Sequence, residues 1–74
     1  MNIFKALEFF CIFSGMEKQQ ATEFVPLIAS SASVIERKIK DSSLCATDEA
    51  AEVTAALSFY RYILSEEASS GSDF

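Results

Sequence analysis

Apolar residues at helical spacing run through this 74-residue chain as far as Leu64 and are interrupted at only two places. The first interruption is Ser14-Gly15. Gly15 is free to take the left-handed conformation that ends a helix, and Ser14 with Glu17 fits the S-x-x-E capping box that starts another. The second runs from Asp41 to Thr47, where Thr47 is a suitable N-cap and Asp48 and Glu49 suit the positive end of the helix that follows. Three segments result, and each reads as helix.

In the first segment Asn2 is placed to cap, and apolar residues cover most of the circumference, leaving only Lys5 and Glu8 as a polar strip. A helix of that kind is expected to be buried on several sides, one of them against a partner in so small a protein. In the second, Phe24, Ile28, Ala32, Ile35 and Ile39 form one stripe. A continuous helix over residues 17–40 would be about 36 Å long. Pro26 opposes that, because it removes one hydrogen bond and crowds the carbonyl of Thr22, a cost of roughly 3 kcal/mol. The expectation is either a kink near Thr22 or a break with Pro26 in the first turn of a second piece. In the third, Val53, Ala56, Leu57, Tyr60 and Leu64 make the predicted core stripe, joined by Ile63, in a helix from about Asp48 to Glu67. Ser-Ser-Gly-Ser-Asp-Phe closes the chain, so residues 68–74 are expected to be a flexible acidic tail on a single helical domain, 1–67. The fold class is all-α, a compact bundle of about three helices, the second kinked or split near Pro26.

Composition narrows the function. The net charge is −5 with six basic residues, which lacks the electrostatic footprint of a nucleic-acid binder. Arg37, Lys38 and Lys40 fall near a predicted helix end, where they complement the macrodipole. There is no His, hence no commonest general base or metal ligand, and no Gly-rich phosphate loop. Cys11 and Cys45 have neither a base nor a basic setting in sequence and read as buried thiols rather than as a nucleophile or a disulfide. Asp48, Glu49 and Glu52 read as an acidic first turn rather than a cation site. No catalytic residue, cofactor or metal is therefore expected, and the chain is read as no enzyme. Glu8 interrupts the N-terminal apolar run and no small-x-small site follows, so it is not read as a signal peptide; it is also short of the ~20 residues of a membrane span. A membrane-surface helix at residues 2–13 would lack the basic flank that anionic lipid favours. The expected compartment is the cytoplasm.

Half of the residues are hydrophobic, seven of them Phe and two Tyr. Three small helices have little interior, so some large apolar groups should stay outside and mark a contact surface. Phe59, Tyr60, Arg61 and Tyr62 are consecutive, about 100° apart on a helix, and cannot all face one core. Phe59 and Tyr62 lie off the predicted stripe, whereas Tyr60 fits it. The candidate protein interface is accordingly Phe10 and Phe13 on the first helix with Phe59 and Tyr62 on the third.

Two stretches resemble the small head–tail connector (adaptor) proteins of tailed phages and prophages. One is Glu23-Phe24-Val25-Pro26-Leu27-Ile28-Ala29 running on to Val34-Ile35-Glu36-Arg37-Lys38-Ile39, similar to the family's first core helix with its basic end. The other, Ala55-Ala56-Leu57-Ser58-Phe59-Tyr60-Arg61-Tyr62-Ile63-Leu64, is similar to its alanine-rich helix ending in aromatics and Arg. The resemblance covers roughly residues 17–66; the aromatics from Phe4 to Phe13 are denser than the family's pattern. It implies a structural subunit that forms a ring or other homo-oligomer beneath the portal, links it to tail or tail-completion proteins, and ends in the assembled virion. The residues alone also allow a free-standing helical interaction module, such as a regulator or antitoxin-like dimer. A ring subunit needs two different complementary patches, a symmetric dimer one self-complementary patch.

Overall fold

The structure, a computed structural model, describes the backbone of residues 1–71 and the side chains of 1–41 and 43–66. Its elements are α1 (Ile3–Ser14), a short α2 (Lys18–Ala21) continued by a 3-10 turn (Thr22–Phe24), α3 (Val25–Lys38), a second 3-10 turn (Ser42–Ala46) and α4 (Asp48–Gly71). No strand occurs among the described residues. The result is an all-α bundle of three helices, the middle one joined from pieces, in which α4 packs against both α1 and α3. The tail expected at residues 68–74 falls on residues whose side chains, or from 72 onwards whose structure, lie outside the described set.

Local chemistry sets the boundaries. Asn2 Oδ1 accepts from the Lys5 N–H at 3.2 Å and opens α1. Gly15 closes it at φ 75°, its N–H donating to the Cys11 carbonyl at 2.9 Å. The expected capping box does not form. Ser14 Oγ instead donates back to the Phe10 carbonyl at 2.7 Å and accepts from the Met16 N–H at 3.2 Å, and Glu17 precedes α2 without a side-chain cap bond. Ser14 is thus used up finishing α1.

Of the two paths open at Pro26, the chain takes the break. Pro26 lies in the first turn of α3, where a missing N–H leaves no partner unsatisfied. The Thr22 carbonyl accepts from the Val25 N–H across the 3-10 turn. Ile39 turns the chain extended after α3. Asp41 then caps the second 3-10 turn, its carboxylate accepting from the Ser43 hydroxyl at 2.7 Å and the Ser43 N–H at 3.0 Å. Thr47 caps α4 as its sequence suggested, accepting from the Ala50 N–H at 3.2 Å.

The core is small-to-large. From α4 come Ala50, Ala51, Thr54, Ala55 and Ser58, all buried; from α1 Ala6, Leu7 and Phe10; from α3 Ile28, Ser31 and Ala32. Small side chains on α4 let the two neighbouring helices approach, and Phe10 and Ile28 fill the space between. The buried hydroxyls of α4 are satisfied within the helix: Thr54 donates to the Ala50 carbonyl at 2.8 Å and Ser58 to the Thr54 carbonyl at 2.7 Å. Arg61 Nη1 donates to Ser31 Oγ at 3.1 Å and ties α4 to α3.

This overturns the expected face of α4. Val53, Tyr60 and Leu64, assigned to the core from their spacing, are exposed, and Phe59 and Tyr62 pack inward. Both sets recur at helical intervals. What separates them is side-chain size, because only the Ala-Thr-Ala-Ser face admits two helices at close range. The thiols of Cys11 and Cys45 are free as expected but only half-buried.

Candidate functional site

Helices α1 and α4 each carry an apolar surface on the side turned from the core. On α1 it consists of Phe4, 76% exposed, with Ile12 two turns on, and Phe13 at the flank, stacked on Phe9 at 6.4 Å. Its polar members are Lys5 and Glu8, one turn apart and joined at 3.8 Å, with Lys5 Nζ also 6.0 Å from the centre of the Phe9 ring.

On α4 the surface is Val53, Tyr60, Ile63 and Leu64, with Leu57 half-buried among them. Val53, Leu57, Tyr60 and Leu64 follow at steps of four, three and four, the spacing of a coiled-coil seam. At its N-terminal end this stripe runs into a groove of about 510 Å³ between the end of α3, the second 3-10 turn and the start of α4. Ile35, Ile39, Leu44, Ala50 and Val53 give it apolar walls, and Lys38 and Glu49 also line it. Leu44 is held there by the turn that Asp41 caps; hydrogen bonds from the Ser43 hydroxyl and then its N–H hold the Asp41 carboxyl below its ordinary value.

Of the four residues singled out from sequence, one lies on these surfaces. Phe13 is 39% exposed and contributes to the α1 face. Phe10 does not: it is fully buried at the centre of an aromatic cluster, with Phe24 at 5.7 Å and Phe59 and Tyr62 each at 6.4 Å between ring centres. Phe59 and Tyr62 are half-buried members of the same cluster, and Tyr62 meets Phe24 edge-on at 5.0 Å. The outward aromatic of the Phe-Tyr-Arg-Tyr run is Tyr60, 60% exposed. Sequence reasoning missed Tyr60, Val53 and Leu64 because it gave them to the core. The signal that could have found them was Ala51, Ala55 and Ser58, a competing face of small residues on the other side of the same helix.

Among the described residues no group of three His, Cys, Asp or Glu side chains comes together to hold a metal ion, and no helix is long and apolar enough to cross a membrane. What this arrangement offers is exposed apolar contact area. In comparison with known proteins, no family model, no curated protein and no solved structure matches the chain.

Proposed function

We propose that this chain is a non-enzymatic assembly subunit, and that the assembly is the head–tail connection of a tailed phage or prophage. The observation that carries the reading is the pair of separate apolar surfaces, Phe4 and Ile12 on α1, with Phe13 on its far flank, and the groove with Val53-Tyr60-Leu64 on α4. Two unlike surfaces suit a subunit set between two different neighbours, whereas a symmetric dimer needs one patch that matches itself. The connector assignment itself comes from the resemblance of residues 17–66, and it supplies the neighbours: further copies of the chain, and portal or tail-completion proteins. Such a subunit is made in the cytoplasm and ends in the virion.

A second reading is favoured by the seam spacing of Val53, Leu57, Tyr60 and Leu64. That spacing would suit a stand-alone interaction module laying α4 against one partner helix.

Light scattering coupled to size exclusion, across a wide concentration range, tests the first reading against the second. A ring-sized species, or a monomer that binds a purified portal assembly, is the expected result. A tight dimer whose mass does not grow further would support the module instead, and a monomer indifferent to the portal would end the connector reading.

A further inference from the structure

Phe4 is the most exposed large hydrophobic among the described residues, yet it belongs to a helix firmly seated in the bundle. The start of α1 is held against α3 by the N-terminal ammonium 3.6 Å from Glu36, and against α4 by the Thr54 hydroxyl 3.6 Å from Met1 Sδ. Val53, the residue before Thr54, lines the groove instead. Ala50, one turn before Thr54, lines the groove as well, so the groove borders the start of α1, but Phe4 is not among its walls and stays 76% exposed. Phe4 therefore stays out of its own groove, and the groove stays open.

We propose that Phe4 of one copy fills the groove of the next. Beyond apolar matching, the charges on the two sides are complementary. Beside Phe4 stand a cation and an anion, Lys5 and Glu8, and lining the groove stand an anion and a cation, Glu49 and Lys38. With Phe4 seated among Ile35, Leu44 and Val53, Lys5 would pair with Glu49 and Glu8 with Lys38 of the neighbour. The Lys5–Glu8 pair is solvent-exposed and exchanges partners at little cost, since such pairs contribute at most about 1 kcal/mol. A groove of about 510 Å³ is within the size of a ligand pocket and admits an aromatic ring. Knob and groove are different surfaces, so the contact is heterologous: repeated from copy to copy, it gives a ring if the rotation closes and a filament if it does not. Tyr60 and Leu64 are left free for a second kind of neighbour. The inference rests on the assembly reading above in taking the neighbour to be another copy.

Mixing two broken variants tests it. Phe4→Ser removes the knob and Val53→Asp spoils the groove; both positions are exposed, so melting temperatures should match the unmodified protein, with Leu44→Ser as a second groove variant should Val53→Asp melt early. By analytical ultracentrifugation the unmodified chain should self-associate, and each variant alone should do so at least ~30-fold more weakly, as expected for a buried aromatic anchor. An equimolar mixture of the two should form a 1:1 heterodimer and stop there, because it holds one intact knob and one intact groove. A mixture that stays monomeric overturns the contact. So does a ring that survives both substitutions, or a monomer that assembles only on a portal, although those two results leave the connector reading standing.

Discussion

Phe10 touches three other aromatic side chains and no solvent, while Phe13, less than one turn further along α1, stacks on Phe9 at the surface. Replacing Phe10 by Ala removes the ring around which Phe24, Phe59 and Tyr62 are arranged, a loss of about 3–5 kcal/mol. For a chain this small that is a large share of the total stability, roughly 0.05–0.15 kcal/mol per residue. Circular dichroism melts should therefore show Phe10→Ala largely unfolded at 37 °C and Phe13→Ser close to the unmodified protein; equal losses would contradict the placement of Phe10 at the centre of the core. Asp41 allows a finer check. The Ser43 hydroxyl, and then the Ser43 N–H, stabilise its charged form, so its carboxyl titrates below the ordinary value. A lowered carboxyl contributes to the turn above the unfolded pKa and loses that contribution as pH falls through the folded one. Ser43→Ala should raise the Asp41 pKa in an NMR titration, and Leu44 should loosen at a higher pH than before.

For the elements, the deciding case is α4, whose two faces are both periodic. Ala55 is fully buried in the core with Ala6, Leu7, Phe10 and Ile28, so a larger side chain there must push helices apart. Ala55→Leu should cost about 1–3 kcal/mol through overpacking, or more where the helices cannot shift. Tyr60→Ser on the opposite face should change the melting temperature by an amount equivalent to less than about 0.5 kcal/mol. Thermal unfolding of the pair distinguishes the faces directly, and the reverse order would restore the stripe read from spacing. Helix ends were legible in the sequence because their causes are local: Asn2, Gly15 and Thr47 each act on backbone groups within four residues. Pro26 was legible as far as two alternatives, and the chain takes the break through the 3-10 turn Thr22–Phe24. The facing of α4 was not legible from spacing, because it is set by how close α1 and α3 can come, a property of three segments together. The same cause moved the candidate site. Phe59 and Tyr62 were credited with the surface that Tyr60, Val53 and Leu64 occupy, and only Phe13 of the four residues chosen from sequence lies on it.

Taken whole, the molecule carries a net charge of −5 and presents apolar faces, so association sets long-range repulsion against short-range burial. Two copies touching side by side have centres on the order of the 25 Å middle dimension of the molecule apart. Coulomb's law in water gives about 4 kcal/mol of unscreened repulsion for such charges at that distance. With a Debye length of about 30 Å at 0.01 M salt a little under half of it survives, and at about 8 Å in 0.15 M salt almost none. The proposed Lys5–Glu49 and Glu8–Lys38 pairs act in the opposite direction, but exposed pairs contribute at most about 1 kcal/mol each and, at contact distance, are screened far less than the long-range term. Repulsion between whole molecules should therefore govern the salt response. Self-association measured by sedimentation equilibrium should strengthen roughly tenfold between 0.01 and 0.15 M salt, the equivalent of the 1–2 kcal/mol of repulsion removed. A contact that weakened over the same range would be held by its ion pairs rather than by Phe4 in the groove, and Phe4→Ser would then disturb it less than Lys5→Glu.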